Sequence, residues 1–301
     1  MVPTTPNGSF TVASEQGRIC SLAARGQRDL QKQVALHLSL FPDPPVDAAM
    51  LSALALSTAF IAPWCTAEQL RVANRASLWV TAEDWRVDRV ATSIEEVTEV
   101  VAACLAVADG NPPAAGDQLG QLLAGIRDQL AAVPAFVHLQ PLWREELERM
   151  LTADAREWQW RAAREADDTL LPTPAEYLSN ADNYGASFVN VSHWIATGAA
   201  STPDQLAELT AASRLVQQVL RLVNDLASYD RDVRSGDLNI LMLGVEQDEV
   251  RRQVSDQIER CRPLLQALEL TCPQEAVYLW RELGFTTGFY HGTDFWASVD
   301  D

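Results

Sequence analysis

Paired cysteines are the first thing this sequence lacks. Cys20, Cys65, Cys104, Cys261 and Cys272 make five, with no Cys-x-x-Cys spacing among them. An odd, scattered set argues against a disulfide framework or a zinc site and fits a reducing, cytoplasmic setting. Positive charge is scarce too: 23 Lys and Arg stand against 41 Asp and Glu, for a net charge of −18. So acidic a chain repels nucleic acid and anionic membrane surfaces, and an anionic substrate would need a metal ion to mediate its binding. Long apolar runs are missing; the most apolar stretch, residues 50–62, is too short to span a bilayer and is cut by Pro63. The first residues show no basic stretch followed by an apolar run, so no secretory leader is expected. Period-two alternation and β-branched clusters are sparse, and no repeat, low-complexity tract or dividing linker interrupts the chain.

What is present reads as helix. Hydrophobic residues make up 48% of the 301, enough for a substantial core. Thr66-Ala67-Glu68-Gln69 forms a capping box that opens a segment reaching about Val90. Ser93-Ile94-Glu95-Glu96 opens another, whose stripe Ile94, Val97, Val101, Leu105 stops at Gly110. Thr173-Pro174-Ala175-Glu176 and Thr202-Pro203-Asp204-Gln205 add boxes with proline at the first helical position. The expectation is an all-α protein: a polar, flexible stretch over residues 1–15, then a single large helical bundle over residues 16–301.

Two acidic motifs carry the chemistry. In the first, Asp84 and Asp88, preceded by Glu83, fall four apart and share a helix face. Two carboxylates so placed can hold a hard divalent cation such as magnesium, although in an acidic chain they also describe a solvated face. In the second, Asn224, Ser228 and Asp232 fall at i, i+4 and i+8, an oxygen-rich line beside the apolar Leu220, Val223 and Leu226. An amide, a hydroxyl and a carboxylate along a buried helix need partners, which a metal ion with a diphosphate would supply. A helix–helix hydrogen-bond network is the plainer alternative.

Together these motifs resemble those of the class I terpene synthases, D-D-x-x-D and N-D-x-x-S-x-x-x-E. Asp84 and Asp88 match the outer aspartates of the first, with Trp85 in place of the middle one. Asn224, Asp225 and Ser228 match the second, Arg231 takes its basic position and Asp232 replaces the glutamate. The motifs lie about 140 residues apart, and the likeness runs from about Thr66 to the C-terminus. The resemblance implies an all-helical enzyme without a covalent intermediate. Asp84, Asp88, Asn224, Ser228 and Asp232 would bind Mg2+, up to three ions. Arg231 and Tyr290 would contact the diphosphate of an isoprenoid substrate. Tyr184, Gly185, Phe188 and Trp79 are weaker candidates for the substrate pocket, where aromatic faces stabilise cations. His193 is a candidate base with no firm assignment, and diphosphate itself needs no side chain for that task.

The match also breaks. The stretch after Glu176-Tyr177-Leu178, where the family usually carries a diphosphate-sensing arginine, reads Ser179-Asn180-Ala181-Asp182. The late Arg-Tyr pair appears as Phe289-Tyr290, which would move phosphate binding to Arg231, Arg234 or His291. Residues 176–181 and 289–295 look more like the kaurene-synthase-type diterpene cyclases. That likeness favours a C20 substrate, labdane-type such as copalyl diphosphate or else geranylgeranyl diphosphate, and a diterpene hydrocarbon product. The glycine-punctuated residues 284–290, with the loop at Gly236, would close over the diphosphate or form an ordinary C-terminal helix. The rival readings are a sesquiterpene synthase on farnesyl diphosphate, a chain-elongating prenyl synthase and a non-catalytic helical relative. A di-iron carboxylate protein is set aside, since none of the four histidines follows a glutamate by three. A homodimer is allowed but has no signature in the sequence.

Overall fold

The computed structural model describes residues 6–42 and 46–296. Those residues form eleven α-helices and no strand, which meets the all-α expectation. They are α1 (Pro6–Leu36), α2 (Ala48–Ile61), α3 (Arg71–Trp85), α4 (Ile94–Ala108), α5 (Gln118–Ala131) and α6 (Phe136–Ala166). The remainder are α7 (Pro174–Ser179), α8 (Ala186–Thr197), α9 (Pro203–Ser235), α10 (Gln247–Thr271) and α11 (Pro273–Tyr290). No helix among the described residues is long and apolar enough to cross a membrane.

Local sequence explains the starts. Thr173 accepts from the Glu176 amide while Glu176 reaches back to the Thr173 amide, a complete capping box. Thr66 and Gln69 make the same reciprocal bonds, yet the helix proper begins only at Arg71. At two other starts the return bond slips one residue outward: Glu96 reaches the Thr92 amide and Gln205 the Ser201 amide. Asp47 and Asp117 cap α2 and α5 through the amides of Met50 and Gly120, contacts that typically contribute about 1 kcal/mol each.

One boundary differs from expectation. Helix α1 begins at Pro6, so residues 6–15, expected to be flexible, are helical; residues 1–5 lie outside the described part. Phe10 and Val12 are exposed there. Arg18 pairs with Glu15 at 2.6 Å along the exposed side of this helix.

The bundle packs α3 against α8, α8 against α9, α9 against α10 and α11, and α2 against α1 and α11. Trp79, Trp143, Trp194 and Phe188 are wholly buried at the centre, with Trp79 and Trp143 each about 5.5 Å from the Phe188 ring. Between α2, α3, α8, α9 and α11 the core is left open as a cavity of about 580 Å³.

Candidate active site

The cavity has two facing walls at its mouth, one on each motif helix. Helix α3 ends at Trp85 and passes into a π-helical turn, Arg86–Val90, that carries Asp88. The expected α-helical spacing is thus widened by one residue per turn, but Asp84 and Asp88 both still line the cavity. Burial first, and then Asp88, Glu83 and Asp237, push the Asp84 carboxyl well above its ordinary range, against the pull of Arg231. Burial also raises Asp88 to about 7, even though Arg161 sits 2.9 Å away. Behind them Glu83 and Asp154 share a hydrogen bond, and each keeps one buried oxygen without a partner.

Helix α9 supplies the other wall, and here the Asp232 carboxylate is satisfied within the protein. Asp232 accepts from Ser228 Oγ at 2.6 Å, from Asn239 Nδ2 at 2.8 Å and from Arg231 Nη2 at 3.0 Å. Asn224 and Asp232 line the cavity with Arg231; Ser228 sits behind them, its hydroxyl turned to Asp232. These bonds run within α9 and to Asn239, while Asn224 reaches another helix through Tyr290, and Asn224 and Asp232 also face the cavity. Tyr290 closes the corner, its hydroxyl bonded to Asn224 and 3.3 Å from that of Tyr184. Arg231 spans to the C-terminal segment, with Nη1 2.6 Å from Asp294 Oδ2.

The sequence reading missed the groups that brace these walls. Arg221, one turn before Asn224 and lining the cavity, bonds the Tyr177 hydroxyl through Nε at 2.8 Å and pairs with Glu157 and Asp225. Burial, offset by Arg221 and Tyr177, leaves Asp225 at about 7. Arg161 ties Asp88 to Asp237, and Arg89 pairs with Asp237 from the other side. Burial would raise Asp237, but Arg89, Ser235 and Arg161 hold it below its ordinary range. One signal was available: an arginine inside the run Val219-Leu220-Arg221-Leu222-Val223 is a charge on a buried helix. The expected stand-ins divide accordingly, with Arg231 and Arg234 lining the cavity and His291 away from it.

The weaker pocket candidates split as well. Tyr184 and Gly185 line the cavity. Gly185 breaks the chain between a 3₁₀ turn and α8 at φ +75°, and a Cβ there would meet Val80 at 2.7 Å, so only glycine fits. Trp79 and Phe188 do not line it. They are core residues, the Trp79 indole donating to the Leu119 carbonyl, because side chains on the far face of α3 and α8 pack inward against α5 and α6. His193 lies behind the Tyr278 ring in a separate cavity of about 340 Å³. Residues 284–290 are ordinary helix within α11. It is the following segment that reaches the mouth, where Phe295 and Trp296 line the cavity and Trp296 meets Trp85 at 6.1 Å.

The donors fit a hard cation. Crowded, desolvated carboxyls on α3 face an amide and a carboxylate on α9, all oxygen ligands of the kind magnesium takes. Among the described residues no three His, Cys, Asp or Glu side chains converge tightly enough to hold a metal by themselves. A magnesium ion here would share its coordination with water and phosphate oxygens.

Comparison with known proteins agrees. A family model described as terpene synthase family 2, C-terminal metal binding, matches residues 76–262, more than half of the chain. The chain is 29% identical over 260 residues to an ent-pimara-9(11),15-diene synthase of a Streptomyces species, covering 85% of this chain and 88% of that one. It is 31% identical over 135 residues to a chloroplastic ent-beyerene synthase of Oryza sativa subsp. japonica, covering 42% of this chain but 15% of that longer one. In structure it resembles 2-methylisoborneol synthase from Streptomyces coelicolor A3(2), solved with Mg2+ and 2-fluoroneryl diphosphate. That match has a TM-score of 0.70 at 15% identity, over 89% of this chain and 90% of the other.

Proposed function

The chain belongs to terpene synthase family 2, whose model is described as metal binding, and from that premise we propose that it is a class I diterpene synthase. Its substrate would be a C20 diphosphate, labdane-type such as copalyl diphosphate or else geranylgeranyl diphosphate, and its product a diterpene hydrocarbon. The observation that carries the reaction class is the pairing of two oxygen-rich walls, Asp84 with Asp88 and Asn224 with Asp232, at the mouth of one cavity of about 580 Å³. The C20 substrate is supported by the likeness to the ent-pimaradiene synthase over 85% of the chain.

In this reading Asp84, Asp88, Asn224, Ser228 and Asp232 hold up to three Mg2+ ions. Bound magnesium supplies Lewis-acid charge neutralisation for the departing diphosphate. Arg231 donates to the diphosphate oxygens, giving up its ion pair with Asp294 for a hydrogen bond to substrate. Tyr290 adds a hydroxyl donor. These groups stabilise charge that develops on the leaving group, so no protein nucleophile is required. Trp85, Phe295 and Trp296 cover the mouth and exclude water from the carbocation.

The test is product formation from geranylgeranyl, copalyl and farnesyl diphosphates, each with and without Mg2+. Hydrocarbon from a C20 substrate with Mg2+ is the expected result; turnover of farnesyl diphosphate alone would reject the C20 assignment.

A further inference from the structure

Helix α11 shows the cavity one polar stripe. Tyr278, Glu282, Thr286 and Tyr290 recur every fourth residue, and all four line the cavity. Tyr290 stands at the mouth beside Asn224, and Glu282 lies two turns further in, about 12 Å along the helix axis. The other cavity-lining carboxyls, such as Asp84, Glu157 and Asp232, belong to the mouth. Glu282 is 4% exposed, and no arginine, lysine or histidine among the described residues pairs with it. A buried carboxyl without a cation is costly to keep.

Its setting is nevertheless built. Asn190 Nδ2 donates to both Glu282 oxygens, at 3.1 and 2.9 Å, and to Ser213 Oγ at 2.9 Å. The Tyr278 hydroxyl donates to Asn190 Oδ1 at 2.7 Å, which fixes the amide with its nitrogen toward Glu282. The Ser187 amide and hydroxyl extend the chain to Gln217 and Ser213. The network comes from α8, α9 and α11 together and converges on one carboxyl that faces the cavity.

We propose that Glu282 is the terminal base of the reaction, taking the proton whose loss turns the last carbocation into a hydrocarbon. This rests on the function proposed above and adds the residue that ends it. In the step, a C–H bond next to the cationic carbon breaks. Its electron pair closes a carbon–carbon double bond, and the proton goes to a Glu282 carboxylate oxygen. The proton leaves to diphosphate or water as the product departs. Asn190 acts as a positioning residue, its N–H holding the carboxylate toward the cavity. Burial raises the Glu282 carboxyl to about 8 against the Asn190 bond, so the ionised form that can take a proton grows as pH rises toward 8. A carbocation nearby favours the ionised form. His193, the other candidate, is screened from the cavity by Tyr278.

The experiment uses the full chain with Mg2+ and geranylgeranyl or copalyl diphosphate, measuring diphosphate released and each terpenoid formed. With E282Q the main hydrocarbon formed per diphosphate released should fall about tenfold or more. Alcohols from water capture, or isomers deprotonated elsewhere, should replace it. That ratio is independent of how much of the variant folds. E282D, which keeps a carboxylate, should retain the wild-type hydrocarbon as its main product. An unchanged ratio and product in E282Q overturns the proposal. So does loss of diphosphate release in both variants while the wild type is active, because Glu282 would then serve ionisation or folding. If the wild type ionises only farnesyl diphosphate, the C20 reading fails alone and the same ratio is read on that substrate. If it ionises none of the three, the C20 reading and the assignment of Glu282 both fail.

Discussion

The two walls of the cavity mouth use the same residue types in opposite ways. On α9, Asp232 is engaged by Ser228, Asn239 and Arg231, and Asp225 by Tyr177 and Arg221, so protein donors alone hold these carboxylates in place. On α3, Asp84 is buried near Asp88, Glu83 and Asp237, and the pull of Arg231 does not keep its carboxyl from rising well above its ordinary range. One wall is organised by its own hydrogen bonds and the other is strained by its own charge. A metal ion bound between them would be positioned by the ordered oxygens of the first wall and would relieve the crowded carboxyls of the second.

The largest expected effect tests the organised wall. Arg221→Met should cost about 3–5 kcal/mol of unfolding free energy in urea, because it leaves Glu157 and Asp225 buried without their cation. A loss under about 1 kcal/mol would mean that α9 does not depend on this bracing.

The next effect is on chemistry. Asp84→Asn and Asp232→Asn should each slow Mg2+-dependent diphosphate release about 10²–10³-fold, the scale of losing one electrostatic contact to the developing charge. A variant at Asp84 that keeps most of the rate would remove α3 from the metal site and leave α9 to act alone.

Stability should then split the same two substitutions by sign. Without Mg2+, Asp84→Asn replaces a carboxyl that burial and its acidic neighbours force to hold a proton, and should stabilise the fold near neutral pH. Asp232→Asn puts an amide N–H where Ser228, Asn239 or Arg231 already donates, and should destabilise by about 1–3 kcal/mol. Thermal melts of the two variants side by side decide it; equal signs would erase the contrast between the walls.

The sequence displayed these walls unequally. The α9 motif was legible because its residue types are unusual for a helix embedded among leucines and valines, and the structure puts Asn224 and Asp232 on the cavity. Asp84 and Asp88 were legible only as a spacing, which any acidic surface helix shares. Their π-helical turn has no one-dimensional signature, since it comes from how α3 ends against α6 and the Gly236 region. Helix starts followed directly from capping residues. Trp79 and Phe188 went wrong because an aromatic next to a motif has the same spacing whether it faces a cavity or the core. Arg161, Arg221 and Glu282 escaped because their meaning lies in partners 44 to 92 residues away, such as Tyr177 for Arg221 and Asn190 for Glu282.

The smallest effect concerns the residue that joins both walls to the C-terminal segment. Arg231 bonds Asp232 along its own helix and is ion-paired with Asp294 across the mouth. Asp294 is buried enough that its carboxyl stays above its ordinary range even beside Arg231. An incoming diphosphate must take Arg231 from Asp294 and tolerate a second anion close by. Asp294→Asn removes that competitor, so KM for the diphosphate substrate should fall about threefold, roughly 0.7 kcal/mol, with little change in kcat. The opposite result is equally informative. If Asp294 serves chiefly to draw Phe295 and Trp296 over the mouth, the same variant should raise KM and increase alcohol products, because water would reach the cation. The ratio of alcohol to hydrocarbon therefore separates a competitor for Arg231 from a latch on the covering segment, and the charge balance around Arg231 favours the competitor.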